Sequence, residues 1–147
     1  MSNETDLAYA AGIIDGDGCI GAYKNKAKTC RHGYRYCLTI RVNISEPEPI
    51  MWLYLTFGGS YRSYANQGMG KRTMYTWALG ANKALNFLKD AQPYFKAKSK
   101  QVELAIRFRN SKAGRQCGST PIVTAVLEAE GILAAQISKI NQGEHLV

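Results

Sequence analysis

The sequence predicts one α+β domain whose elements follow the order α-β-β-α-β-β-α-α-α. Three observations predict it: an opening helical stretch with small residues at every fourth position, a stretch that alternates apolar and polar side chains, and a run of helical segments after a second predicted hairpin. A chain of 147 residues suits a single domain and can bury a substantial core.

The opening stretch, residues 8–18, has almost no bulk on one side. Ala8, Gly12 and Gly16 recur every fourth residue and therefore share one helical face. A second backbone can approach such a face closely, as small-residue stripes allow in other helix pairs. Ala11 widens the stripe.

Two acids end this stretch. Asp15 and Asp17 are separated and followed by Gly16 and Gly18, which leave room for a large group to come near. If two copies of this helix met, they would bring two such acids side by side. The pattern therefore predicts a metal site at a subunit boundary.

Two plainer interpretations of the acidic turn compete with the metal site. A calcium loop of the EF-hand type starting at Asp15 needs oxygen ligands at its fifth and twelfth positions, where the chain has Cys19 and Lys26. The spacing therefore excludes it. A helix end with its acids in a solvated turn is the stronger alternative. Acids at the carboxyl end of a helix oppose its dipole, however, and this placement favours a bound cation.

The clearest strand spans residues 34–43, where side chains alternate with period two. Its apolar face comprises Tyr36, Leu38, Ile40, Val42 and Ile44. The other face carries polar side chains that can bond base edges, Arg35, Thr39, Arg41 and Asn43. An ordinary solvated sheet face is the alternative.

Proline, glycine and apolar spacing define the other elements. The predicted bounds are strand 19–28, turn 30–33, helix from 46–49 to 57 ended by the glycines at 58 and 59, hairpin strands 60–66 and 73–79, helix 82–90 with Asn82 as its N-cap, helix 94–110, loop 111–120, helix 121–141 and a frayed tail from 142. The helix ending at residue 57 offers Met51, Trp52, Leu53 and Leu55 to a core. Periodicity does not decide which face of the second hairpin points outward.

Composition points to a polyanionic partner. Net charge is +8, from 19 Lys and Arg against 11 Asp and Glu, although a basic protein without a nucleic-acid role is the alternative. No apolar run approaches the roughly 18 residues that span a membrane, and the first residues do not resemble a secretory signal. The cysteines, Cys19, Cys30, Cys37 and Cys117, lack paired zinc-binding spacing. We therefore expect an intracellular protein with reduced thiols, in a prokaryotic cytoplasm or an organelle.

Residues 10–18, Ala-Ala-Gly-Ile-Ile-Asp-Gly-Asp-Gly, resemble the motif that names the LAGLIDADG homing endonucleases. Ala10 stands where leucine is usual, and Gly16 replaces the alanine between the acids, a common variation. The element order resembles that fold across essentially the whole chain: a saddle whose curved antiparallel sheet sits astride DNA. Members with a single motif act as homodimers, so the resemblance implies a homodimer. Its expected interface includes Ala8, Ala11, Gly12 and Asp15.

The resemblance implies a site-specific double-strand DNA endonuclease that hydrolyses phosphodiester bonds at a long, near-palindromic site. It implies Mg²⁺ as cofactor, with Mn²⁺ able to substitute, and neither an organic cofactor nor a membrane. Asp17 matches the metal-binding acid, and the Gly16 carbonyl is a further expected ligand. Lys98 falls at the position of a supporting lysine, with Lys96 and Lys100 as close competitors.

A third catalytic position is less regular. In the family a polar residue after the second strand, often glutamine, organises the water network. Glu46 matches that position here, and Ile44 matches it if the alignment shifts by two. Asp15 is expected to be structural, capping or pairing near the interface.

The predicted sheet matches DNA in length. A strand of about 10 residues at about 3.3 Å each spans about 33 Å, or about 10 base pairs at about 3.4 Å, and a symmetric dimer covers about twice that. The expected base-reading residues are Tyr23, Asn25, Arg35, Thr39, Arg41, Asn43, Arg62 and Tyr75. The expected phosphate contacts are Lys28, Lys71, Arg72, Lys96 and Lys100.

Two other functions stay open at this point. Some relatives of the fold are DNA-binding regulators or intron RNA maturases that no longer cleave, although the presence of Asp17 and a lysine candidate argues against such decay. A basic structural protein that binds nucleic acid without specificity fits less well with the polar variety of the second strand.

Overall fold

The computed structural model describes residues 3–26, 33–65, 72–110 and 124–141. The elements in these ranges follow the predicted order, so the predicted α+β class is confirmed. They are α1 Glu4–Asp17, β1 Gly18–Lys26, β2 Tyr34–Ile44, α2 Pro47–Phe57, β3 Ser60–Ala65, β4 Thr73–Gly80, α3 Ala81–Ala91, a 3₁₀ turn Gln92–Tyr94, α4 Ser99–Asn110 and α5 Thr124–Asn141. Several predicted features lie outside the described residues. They are the turn at 30–32, the strand ends at 27–28 and 66, the loop at 111–120, the helix start at 121–123 and the tail from 142.

The four strands form one antiparallel sheet in the order β1-β2-β4-β3. The alternation in β2 separates its two faces as predicted, because Leu38, Ile40 and Val42 are buried whereas Arg41 and Asn43 are exposed. The buried face continues on the other strands through Ile20, Trp77 and Leu79.

The helices cover this apolar face of the sheet. Helix α3 shows why, since Ala84, Phe87, Leu88 and Ala91 recur at helical spacing and are all buried. Each of the five helices contacts at least one of the strands β1, β2 and β4. The opposite face of the sheet carries the exposed side chains of Arg41 and Asn43 on β2.

Two glycines end α2 as predicted. Gly58 and Gly59 have φ of 79° and 94°, which side chains with a Cβ rarely adopt. A Cβ at Gly59 would also overlap the carbonyl oxygen of Ala78. The Trp77 indole N–H donates to the Gly58 carbonyl at 2.8 Å, which ties the end of α2 to β4.

Two predicted helix starts were wrong. Helix α3 begins at Ala81 with Gly80 as its N-cap, so Asn82 lies inside the helix, where its side-chain oxygen accepts from the Arg109 guanidinium at 2.8 and 3.2 Å. Helix α4 begins at Ser99 rather than at residue 94. The 3₁₀ turn containing Pro93 ends at residue 94, and the backbone after it is bonded to a carboxylate from α1 instead of continuing as a helix.

In the part of the chain that the structure describes, no helix combines the length and the apolar character needed to cross a bilayer.

Candidate nucleic-acid interface and acidic motif

The acidic motif lies at the junction between α1 and β1. Asp17 is the last helical residue, and Gly18 starts the strand without an intervening loop while its N–H donates to the Ile14 carbonyl. A Cβ at Gly18 would lie 2.7 Å from the Ile14 Cα, so only glycine fits where the chain folds back so tightly. The exposed Asp17 side chain is thereby held at one end of the sheet.

Asp15 binds a segment that is distant in sequence. Its carboxylate accepts from the backbone N–H groups of Lys96 at 2.8 Å and Lys98 at 2.9 Å. In return, Lys98 Nζ donates to the Asp15 carbonyl oxygen at 3.0 Å. Lys98 is therefore half-buried against the end of α1, where its partner Asp15 lies two residues before Asp17. Lys96 and Lys100 are exposed. Of the three candidate lysines, Lys98 is the one whose ammonium the described hydrogen bonds bring to the motif.

The third catalytic position lies at the same end of the sheet. Gly18 pairs with Val42, and β2 ends at Ile44, so Glu46 follows β2 by two residues just before α2. Glu46 is exposed and its side chain makes no capping hydrogen bond. Ile44 lies on the core side opposite Tyr75, which leaves Glu46 as the polar group of the two alternatives.

Strand register places most of the predicted base-reading residues on one face. Cys19 pairs with Arg41 and Gly21 with Thr39, and positions 25 and 35 pair with each other in the same alternation. Across the sheet, Asn43 pairs with Thr76, which pairs with Arg62. This face, called the polar sheet face below, carries Tyr23, Thr39, Arg41, Asn43, Arg62, Tyr64 and Thr76 together with positions 25 and 35.

Strand register also shows which face of the second hairpin points away from the core. It contradicts one predicted base contact. Tyr75 pairs with Ile44 and Ser63, whose alternation places it with Trp77 on the core face. Its ring lies 6.3 Å from that of Tyr61 on the same face. Tyr75 is therefore separated from the polar sheet face by the sheet itself.

The predicted phosphate contacts fall into two groups. Lys28 and Lys71 lie outside the described residues. Arg72, just before β4, is exposed, as are Lys96 and Lys100 around the start of α4.

Tyr23 has a constrained position on the polar sheet face. A Cβ at Gly21 would lie 2.7 Å from the Tyr23 ring and hydroxyl, so the ring lies across the bare glycine backbone. The hydroxyl is 3.4 Å from Cys19 Sγ. Desolvation, followed by the hydrogen bond and the charge of Cys19, raises the pKa of Tyr23 from 10.0 to about 12, against a smaller lowering by Arg41.

Three polar side chains on this face are bonded to one another. Asn43 Nδ2 donates to the Tyr64 hydroxyl at 2.8 Å, and Thr76 Oγ1 donates to Asn43 Oδ1 at 3.0 Å. The three residues come from β2, β3 and β4. Sequence inspection found Asn43 alone, because the contacts depend on the pairing of strands.

Solved structures resemble the chain over nearly its whole length. The homing endonuclease I-CvuI in complex with its target has a TM-score of 0.77 at 20% identity, with 97% of this chain and 86% of that chain covered. The archaeal intron-encoded homing endonuclease I-Vdi141I, complexed with DNA, has a TM-score of 0.73 at 15% identity, with 94% and 85% covered. The LAGLIDADG homing endonuclease I-SmaMI bound to cleaved DNA has a TM-score of 0.70 at 14% identity, with 99% of this chain but 47% of that chain covered.

This chain has the LAGLIDADG homing endonuclease fold. The scan against protein-family models gave no match, and neither did the search of curated proteins. The fold is thus shown by structural similarity, at identities where sequence similarity is weak.

In this LAGLIDADG fold, the small-residue face of α1 is partly exposed. Ala8, Gly12 and Gly16 are exposed, and a Cβ at Gly12 or Gly16 would have nothing within 4 Å. Ala11 is fully buried in the core of its own chain. Its predicted place in an interface was therefore wrong. The Asp15 carboxylate is bonded to the backbone before α4, so it too is occupied within its own chain.

Helix α2 adds an exposed apolar surface that the sequence analysis had assigned to the core. Leu53 is buried as predicted, but Met51 is 40% and Leu55 74% exposed. Trp52 is half-buried and contacts the exposed Tyr9 of α1, with ring centroids 4.9 Å apart. The apolar spacing of this short helix does not distinguish its buried face from its exposed one.

The residues of a single chain offer few ligands for a metal. Among the described ranges no three His, Cys, Asp or Glu side chains cluster in a way that could hold an ion. Asp17 is exposed at the helix end, and the backbone of Gly16 beside it has open space. Such oxygen ligands suit Mg²⁺, which retains much of its water shell. Asp17 and the Gly16 carbonyl are therefore the oxygen groups of the motif with room for an ion beside them.

Proposed function

We propose that the protein is a site-specific double-strand DNA endonuclease that acts as a homodimer with Mg²⁺ at a long, near-palindromic site. The observation that carries the proposal is the position of Lys98, which Asp15 fixes at the end of α1 beside Asp17. This arrangement brings a cation and an exposed acid to the same end of the sheet, which supports hydrolysis of a phosphodiester with a bound metal ion. Mn²⁺ is expected to replace Mg²⁺.

The polar sheet face is the proposed DNA-binding surface. Arg41 projects from the inner strand β2 and Arg62 from the edge strand β3. Arginine is the side chain best suited to guanine in the major groove. The protein's net charge of +8 supports contacts with a polyanion. Strand β2, with 11 residues, spans about 36 Å at about 3.3 Å per residue, which corresponds to about 11 base pairs.

The proposed dimer forms through α1 and α2. Gly12 and Gly16 allow a second α1 to approach, and Met51 and Leu55 supply exposed apolar area next to it. A symmetric contact of this kind brings two Asp17 side chains together. It also places two polar sheet faces end to end, so that the DNA site is near-palindromic.

Each chain contributes distinct groups to the proposed reaction. Asp17 and the Gly16 carbonyl would hold the ion, which supplies charge neutralisation at the phosphate and activation of water. Lys98 places a positive charge near the scissile phosphate, with its ammonium oriented by the Asp15 carbonyl. Glu46 is exposed and can accept a hydrogen bond from water at the same end of the sheet.

The test begins with a randomised duplex pool incubated with the protein and Mg²⁺, followed by sequencing of the cut ends. Asp17→Asn should retain binding to the selected site and lose cleavage of both strands. Asp90→Asn, which removes the same charge from an exposed position on α3, should cut normally. Full cleavage by Asp17→Asn would overturn the catalytic assignment. If the wild-type protein binds a specific sequence tightly without cleaving it, the result would instead indicate a regulator. Activity on intron RNA would indicate a maturase.

A further inference from the structure

We propose that Asn43 recognises an adenine in the major groove, and that Thr76 and Tyr64 are positioning residues that orient its amide. The inference rests on the proposed function, because it requires DNA on the polar sheet face. It assigns a base identity to one residue of that face.

The hydrogen bonds of Asn43 restrict its side chain in two directions. Thr76, its direct partner on β4, donates to Oδ1 at 3.0 Å, and Tyr64 on β3 accepts from Nδ2 at 2.8 Å. An asparagine amide has two N–H donors and two acceptor lone pairs. One N–H and one lone pair are thus engaged, and one of each is left for a ligand.

The remaining donor and acceptor match one base edge. Adenine presents the N7 acceptor and the N6 amino donor side by side in the major groove, and asparagine bonds both at once. Guanine presents two acceptors there, which the remaining acceptor of Asn43 cannot satisfy. Two partners hold the amide, so it cannot turn to present a different edge to another base, and it loses less conformational freedom on binding than a free one.

A role in folding alone accounts poorly for these contacts. Asn43 and Tyr64 are exposed, the latter by 47%, so water would satisfy the same groups if the contacts were absent. The three residues connect strands that the backbone already pairs. What the contacts add is a fixed orientation of one amide on the surface proposed to meet DNA.

The register also predicts where the adenine lies. Asn43 directly follows Val42, which pairs with Gly18, so it is at the end of β2 next to Asp17. The opposite end of β2 begins at Tyr34. The adenine therefore belongs to the part of each half-site that is nearer the cut, and a homodimer reads it once in each half.

The test selects bound duplexes from a randomised pool in chelator, so that no strand is cut, and sequences them. The wild-type protein should give one adenine position in the inner part of each half-site, preferred about tenfold or more over other bases. Asn43→Asp has nearly the same shape but only acceptors, and should shift that position towards cytosine, whose amino group donates. Thr76→Val and Tyr64→Phe should weaken the adenine preference at that position and leave the rest of the selected site unchanged.

Two control variants and three outcomes separate the possibilities. Thr73→Val on β4 and Tyr61→Phe on the core face of β3 remove the same hydroxyl groups away from this network and should leave the selected site as in the wild type. An unchanged adenine position in Asn43→Asp overturns the inference while the proposed function stands. A weakened preference at every position in Thr76→Val or Tyr64→Phe overturns the positioning role. A wild-type protein that selects no duplex refutes the proposed function and the inference with it.

Discussion

Asp15 and Lys98 bond each other in both directions. The Asp15 carboxylate accepts from the Lys98 backbone N–H at 2.9 Å, and Lys98 Nζ donates to the Asp15 carbonyl at 3.0 Å. Asp15, whose carboxylate is bonded within its own chain, thus fixes Lys98. Lys98 is the lysine that is proposed to act together with Asp17. In the proposed function, the two aspartates of this short motif have different tasks: Asp15 positions Lys98, and Asp17 takes part in the chemistry.

The first prediction concerns the stability provided by Asp15. In Asp15→Asn, an amide N–H₂ replaces one of the two oxygens that accept from backbone N–H groups, so a donor faces a donor. We expect the free energy of unfolding to fall by about 1–3 kcal/mol, the cost of a half-buried group left unsatisfied. Urea denaturation measures the loss. Asp90→Asn, exposed on α3, should change it by less than about 0.5 kcal/mol. Equal effects of the two variants would contradict the role given to Asp15.

The second prediction separates Lys98 from its neighbours. Lys98→Met keeps much of the side-chain bulk and removes the charge, and we expect cleavage to fall by about a hundredfold, as when one group that stabilises transition-state charge is lost. Affinity for the target should change little. Lys100→Met, at an exposed position on α4, is the matched control and should affect binding in a salt-dependent way more than the cleavage rate. Single-turnover cleavage and binding measured in parallel distinguish the two lysines, and a larger cleavage defect in Lys100→Met would contradict the assignment.

The sequence predicted the element order because its local signals agree with the fold. The period-two pattern of β2 separates buried Ile40 from exposed Arg41, and Gly58 ends α2 at a positive φ. The start of α4 could not be found this way, since it depends on hydrogen bonds that the Asp15 carboxylate accepts from backbone N–H groups more than 80 positions away. This contact between distant residues overrides the helical preference of residues 94–98, which were predicted as the first residues of the helix.

In the candidate site, too, some residues could be predicted from the sequence, whereas others depend on contacts between distant parts of the chain. Asp17 and Lys98 were predicted as site residues through resemblance to a family, and the structure bonds Lys98 to the end of α1. Tyr75 was misplaced, because the second hairpin has aromatic side chains on both faces and only the pairing with Ile44 reveals its side. The exposure of Leu55 on α2 likewise escapes a pattern that looks for apolar residues at helical spacing.

The third prediction tests the proposed dimer at Gly12. Nothing lies within 4 Å of a Cβ at this exposed helical position, so Gly12→Leu should fold and should gain about 1 kcal/mol of helix propensity. The added side chain would separate two α1 helices, and we expect sedimentation to show monomers and double-strand cleavage to be lost. Ala135→Leu, which adds similar bulk at an exposed position of α5, should remain dimeric. A Gly12→Leu protein that is still a cleaving dimer would refute the proposed interface.

The last prediction concerns the ionisation of Tyr23. Desolvation of the ring and the contact with Cys19 raise its pKa from 10.0 to about 12, so the folded protein keeps the phenol proton over a range in which the unfolded chain releases it. The corresponding stabilisation is complete below pH 10.0 and is lost as the pH rises through about 12. Tyrosinate absorbance should show a late ionisation step in the wild type that is missing in Tyr23→Phe. In Gly21→Ala, a Cβ placed 2.7 Å from the ring must displace it, and the late step should move back towards 10.0. Because Tyr23 is 40% exposed, the ring can move away without disrupting the core, so the unfolding midpoint of Gly21→Ala at neutral pH should change little. A late step that persists in Gly21→Ala would show that the ring does not depend on the bare backbone at residue 21.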